Sequence, residues 1–184
     1  MKNKIITVSF MLLILQGCLL QEIWNVLKEA WGGYIIEITI APLKNLSYRY
    51  YRNNSVSNQA WKDMNDAARK IQDNYSNGRL KLYKSIYKPE DTNKMGSFYQ
   101  YASNPSPRQK ALYLMREAQK HNLDLIFFGF YEQYNGKTHL EVYIFSRQDK
   151  NVHGKFVEVP STNQKQVSQE LGKIVRDIIE QKMG

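Results

Sequence analysis

One thiol, three imidazoles and two carboxylates on strand-like segments are the groups of this 184-residue chain whose placement could do chemistry. His121, His139 and His153 fall on a helix end, a strand and a turn. None stands at metal-ligand spacing from another histidine or a carboxylate, as a His-Glu-x-x-His helix would provide. Surface polar roles are expected for all three. Asp124 and Glu141 could work as an acid–base pair only if the fold joined them. Asp124 instead starts its strand, and Glu141 takes the less apolar face of another. The sequence contains no Gly-x-Ser-x-Gly elbow and no glycine-rich phosphate loop. The expectation is a non-enzymatic chain that holds no metal.

The thiol reads differently. Cys18 follows Lys2 and Lys4, an apolar run from Ile5 to Leu15, and the tripeptide Leu15-Gln16-Gly17. A charged start, a short apolar segment and a small residue before the cut make a secretory signal. The run is shorter than the roughly 20 apolar residues of a membrane-spanning helix. Leu-Gln-Gly-Cys resembles the lipobox of bacterial lipoproteins. The resemblance implies that residues 1–17 are removed and that Cys18 carries a covalent diacylglycerol, with no other cofactor. At about 0.8 kcal/mol per buried methylene, two or three acyl chains hold a protein on a membrane durably. With Cys18 consumed no disulfide is available, so stability must come from a packed core.

Cleavage leaves 167 residues, enough for one domain, and by taking Lys2 and Lys4 lowers the formal charge from +9 to +7. Outside the cytoplasm that balance suits lipid headgroups, anionic glycans or an acidic protein face rather than nucleic acid. Leu19, a non-acidic residue after the lipidated cysteine, fits outer-membrane sorting in many Gram-negative bacteria. The expected location is therefore the cell envelope, on the outer membrane and facing the periplasm.

Three segments follow: the signal at 1–17, a lipidated anchor with an amphipathic helix at 18–33, and an envelope domain at 34–184. In the anchor, Leu20, Ile23, Trp24, Leu27 and Trp31 recur at helical spacing, and Gly32-Gly33 ends the pattern. Trp24, Leu27 and Trp31 either lie in the lipid headgroup region or cover part of the domain core.

The domain opens with a strand over Tyr34–Ala41, β-branched on one face and stopped by Pro42. Ala60, Met64, Ala67, Ala68, Ile71 and Tyr75 then mark a helix capped near Ser55 or Ser57 and ended by Asn77-Gly78. Arg79–Lys84 alternates as a short strand. Tyr87–Asn104 is polar and without a clear period, a surface insertion or a locally mobile loop. Ser106-Pro107-Arg108-Gln109 starts a helix that Asn122 can close. Leu123–Tyr134 and Thr138–Ser146 form a hairpin on Asn135-Gly136, a pair suited to positive φ. A turn at Asp149–Gly154, a strand at Lys155–Val159 and a helix from Asn163 to Lys182 complete the chain. The fold class is α+β: a single mixed sheet of about five strands with helices packed on it.

This order resembles a group of bacterial envelope domains: the amino-terminal domain of TolB, the penicillin-binding-protein activator LpoB, and the periplasmic part of CsgG. Their first strand ends in proline, an apolar residue and Asn-x-Ser or Asn-x-Thr, as in Pro42-Leu43-Lys44-Asn45-Leu46-Ser47. A later Asp-centred apolar strand running into glycine is matched by Leu123-Asp124-Leu125-Ile126-Phe127-Phe128-Gly129. The likeness spans about Tyr34 to Lys182. It implies a protein-binding adaptor, assembly factor or activator, or else a structural subunit of an envelope-spanning secretion or ring complex. Tyr48-Arg49-Tyr50-Tyr51-Arg52 is not part of the shared pattern.

Tyrosine and arginine dominate interface hot spots because they bring large area with a polar tip. Tyr48, Arg49, Tyr50, Tyr51, Arg52, Tyr87, Tyr99 and Tyr101 lie outside the apolar stripes. They are candidates for a protein-contact surface; the alternative is local packing. The expected partners are the membrane through the anchor, and another envelope protein or a second copy. Peptidoglycan is a third class, which would need a cleft of converging polar and aromatic residues.

Overall fold

The structure is a computed structural model and describes residues 35–46, 55–74 and 79–183. The signal segment, Cys18, the anchor residues Trp24, Leu27 and Trp31, the Tyr48–Arg52 stretch, Tyr75 and Asn77-Gly78 lie outside the described residues.

The chain runs β1 (Ile36–Ile40), β2 (Lys44–Asn45), α1 (Ser55–Asn74), β3 (Leu80–Leu82), α2 (Thr92–Ala102), α3 (Pro107–His121), β4 (Leu125–Tyr134), β5 (Lys137–Ser146), β6 (Asn151–Val159) and α4 (Gln164–Met183). It is an α+β fold. The sheet order is β3-β1-β4-β5-β6, with the two-residue β2 also paired to β4. β1 pairs parallel with β3 and β4, whereas β4, β5 and β6 form an antiparallel meander. The short β2 carries the Lys44-Asn45 of the proline motif, and its two residues have no alternation from which to read a strand.

Alternation places a core on each face of the sheet. On the first face Ile36, Ile38, Ile40, Phe127, Leu140, Val142 and Ile144 meet Ala60, Met64, Ala68 and Ile71 of α1 and Val167, Leu171, Ile174 and Ile179 of α4. On the second, Ile126, Phe128, Phe130 and Phe145 meet Met95, Phe98, Tyr99 and Ala102 of α2 and Leu114 and Ala118 of α3. Each large apolar side chain so buried contributes about 1.5–3 kcal/mol.

Local signals account for several boundaries. The Ser106 side chain accepts from the Gln109 N–H, Pro107 holds the first helical position, and Asn122 closes α3 in the left-handed region at φ 51°. Asn135 and Gly136 both take positive φ, 50° and 75°, as a two-residue hairpin turn between β4 and β5 requires.

Two expectations are corrected. Most of Tyr87–Asn104 is not a structureless loop: Thr92–Ala102 is a helix whose N-terminus is capped by the Asp91 carboxylate, and it buries Met95, Phe98, Tyr99 and Ala102. Gly96, Ser97 and Gln100 dilute that stripe in the sequence. The turn before the last strand is also shorter than expected, with β6 beginning at Asn151 after Lys150 in the left-handed region.

Candidate functional site

Two of the tyrosines that the sequence singles out are core residues. Tyr87 and Tyr99 are each 1% exposed, so neither belongs to a contact surface. Their hydroxyls find partners inside the domain: Tyr87 donates to Glu117 at 2.6 Å, and Tyr99 lies between the carbonyl oxygens of Pro42 and Gly129. Burial, then the neighbouring Glu117, pushes the Tyr87 hydroxyl well above the ordinary tyrosine range. Tyr101 does reach the surface, 49% exposed and stacked on Tyr113 with ring centroids 5.0 Å apart.

The Asp124–Glu141 pairing does not form. The Asp124 Oδ2 accepts the Glu37 N–H at 2.9 Å, its own N–H donates to the Glu37 carbonyl at 2.7 Å, and Arg147 lies 3.4 Å away. This aspartate clamps the start of β4 to β1, which gives the Asp-centred strand motif a structural role. Glu141 pairs across with Phe130 and Phe156 and accepts from the Tyr143 hydroxyl at 3.2 Å. His139 and His153 are exposed beside Glu158 and Asp149. His121 departs from the expected surface role: its side chain is 22% exposed and its Nε2 is buried without a hydrogen-bond partner. Among the described residues no group of three or more His, Cys, Asp or Glu could hold a metal ion.

A groove of about 1040 Å³ between α1 and α4 is walled by Asp63, Asp66, Lys70, Lys165, Lys173 and Arg176 and has no aromatic lining. It lacks the stacking surface expected of a sugar cleft. Among the described residues no helix is long and apolar enough to cross a membrane.

Among the described residues the most exposed large hydrophobic side chain, Phe156, lies at the open edge of the sheet. β6 has a strand on one side only among the described residues, and most of its nine residues are exposed. In such a strand every second residue turns its N–H and C=O away from the sheet. On the second face α3 reaches β6, where Val152 is half-buried, but leaves Phe156 uncovered. Phe130 is 6% exposed, Tyr143 is half-buried and Phe156 is 69% exposed.

These rings form one platform. Phe128 and Tyr143 stack at 5.4 Å and 21°, and Phe156 meets Tyr143 edge-on at 6.1 Å and 84°. Gly154 lets the Tyr143 ring lean over the strand, since a Cβ there would stand 2.9 Å from Tyr143 Cε1. The Lys110 ammonium lies 5.2 Å from the centre of the same ring. Burial raises the Tyr143 pKa, with the Glu141 charge and hydrogen bond adding to it, so the phenol stays protonated at neutral pH.

Charges around the edge are unevenly matched. Glu158 pairs with Lys137 at 2.6 Å, and Asp149 pairs with Lys182 at 3.2 Å and His153 at 3.4 Å. Hydrogen bonds from Lys182 and Ser146 pull Asp149 below the usual carboxylate range, as one from Lys137 does Glu158. Lys110, Lys150 and Lys155 have no carboxylate partner among the described residues. Sequence reasoning passed over Phe156 and Tyr143. The available signal was an aromatic residue on the polar phase of the terminal strand, between Lys155 and Glu158.

No family model matches the chain, and no curated protein matches it in sequence. Several solved structures are similar to it. TolB from Acinetobacter baumannii is 15% identical with a TM-score of 0.43, covering 80% of this chain and 28% of its own. The chain thus spans under a third of TolB. A dodecamer of a PelC point variant from Paraburkholderia phytofirmans is 7% identical with a TM-score of 0.41, covering 77% of this chain and 86% of its own. The LpoB C-terminal domain from Salmonella enterica is 10% identical with a TM-score of 0.37, covering 71% and 88%. TolB and LpoB are both in the group that the sequence resembles.

Proposed function

We propose that this chain is a lipid-anchored, non-enzymatic envelope protein whose β6 edge docks an extended segment of another envelope protein, as an adaptor, assembly factor or activator. The observation that carries the reading is Phe156, 69% exposed on an open nine-residue edge strand and continuous through Tyr143 with the aromatic core. Strand addition supplies main-chain hydrogen bonds for affinity, and alternate side chains supply specificity. Aromatic residues are enriched at protein interfaces relative to the rest of the surface.

The anchor reading rests on Leu15-Gln16-Gly17-Cys18 and the charged, apolar segment before it. Removal of residues 1–17 and diacylglycerol on Cys18 would tether the domain to the outer membrane on its periplasmic side. Radiolabelled palmitate incorporated by the wild-type chain and absent from Cys18→Ser tests that half. A photo-reactive residue at position 156 in intact cells tests the other. A discrete adduct with one envelope protein supports docking; labelling no stronger than at the exposed Tyr134 of the hairpin end counts against it.

A further inference from the structure

We infer that the segment taken by the β6 edge alternates an acidic residue with a large apolar one. The inference rests on the docking reading above and names the chemistry of the partner. On a strand added beside β6, the residue opposite Gly154 lies on the second face, and the next lies on the first face opposite Lys155, because successive side chains alternate. Gly154 contributes no side chain, and the Tyr143 ring overhangs it with Phe156 beside it. A large apolar residue at the first position extends the aromatic platform. At the second, Lys155 is exposed with no carboxylate partner among the described residues. An acid there forms a cross-strand pair, whereas a lysine meets a like charge.

The two faces of the edge differ in sign. Glu158 and Asp149 are already paired with Lys137 and with Lys182 and His153. Glu141 lies on the second face beside Phe156 and the Tyr143 hydroxyl, where the added strand places its apolar residue. On the first face Lys155 is the lysine without a carboxylate partner among the described residues. A second copy paired with Lys155 opposite Lys155 would set like charges against each other, the way edge lysines in native sheets commonly block self-pairing. An acidic extended segment meets no such opposition.

The test uses the full chain in detergent micelles and three fluorescent octapeptides: alternating Glu-Phe, alternating Lys-Phe, and a Glu-Phe peptide N-methylated at every second amide. Anisotropy should show the Glu-Phe peptide binding at least about tenfold tighter than Lys-Phe, and Lys155→Glu should reverse that order. Phe156→Ala should weaken the Glu-Phe peptide, and N-methylation should remove the binding that strand addition provides. Equal binding of the acidic and basic peptides, or an unchanged preference in Lys155→Glu, overturns the inference. So does a concentration-dependent dimer that Phe156→Ala dissolves, since the occupant is then a second copy. A partner captured at position 156 in cells through a segment without acids overturns this charge rule while leaving docking intact.

Discussion

The hydroxyl of Tyr99, on α2, lies 3.0 Å from the carbonyl oxygen of Gly129, in the middle of β4. The same hydroxyl contacts the Pro42 carbonyl and accepts the Gly129 N–H at 3.4 Å. One buried phenol thus ties the proline motif after β1 to the glycine motif of β4, and both to the helix that covers them. Tyr99→Phe removes the one proton that the Pro42 and Gly129 carbonyls share and the acceptor of the Gly129 N–H, and should cost about 1–3 kcal/mol in urea unfolding. The paired control, Tyr101→Phe on the exposed face of the same helix, should stay within about 0.5 kcal/mol.

Gly129 tolerates no side chain. A Cβ would stand 2.2 Å from the Glu141 carbonyl oxygen and 2.8 Å from Leu43 Cδ2. Backbone cannot retreat from the first contact without breaking the β4–β5 ladder. Gly129→Ala should therefore cost at least about 3 kcal/mol, or leave the chain insoluble, as read by thermal unfolding. Alanine at the hairpin's Gly136, where open space surrounds the residue but φ is +75°, should cost about 1 kcal/mol.

His121 predicts a pH dependence. Burial of the imidazole lowers its pKa below 6.5, with Lys120 and Lys94 opposing protonation and Glu117 favouring it. Because the folded value is the lower one, the unfolded chain binds more protons as the medium acidifies. The contribution is fully present above pH 6.5 and is lost as the pH falls toward the folded value. Urea midpoints should decline over that window in the wild type and flatten in His121→Asn. An unchanged slope in the variant would assign the decline to other groups.

Much of this architecture is readable from local signals. Ser106-Pro107 starts α3 and Asn135-Gly136 makes the hairpin, because a cap and a turn depend on residues a few positions apart. The tyrosines were harder. Burial of Tyr87 and Tyr99 depends on hydroxyl partners 30 and 57 positions away, Glu117 and Pro42, which no local window contains. Without those partners a tyrosine in a polar stretch reads as surface. Phe156 stands on the polar phase of its strand, which points to exposure, but how far it is exposed depends on which part of β6 lies under α3. Asp124 reads from the sequence as the start of a strand, but its companion does not: the parallel pairing of β1 with β4, a non-local event, brings it to Glu37.

The docking claim separates stability from binding at one residue. Phe156 is exposed, so Phe156→Ser should leave the unfolding midpoint within about 0.5 kcal/mol of wild type. The decisive measurement is quantitative capture of crosslinked envelope partners with the wild-type and Phe156→Ser chains expressed at equal levels in native membranes. The account predicts one dominant partner with the wild type, depleted at least about tenfold with Phe156→Ser, the scale of a central interface aromatic. Equal recovery of that partner with a folded Phe156→Ser chain would contradict it and move the functional surface away from β6.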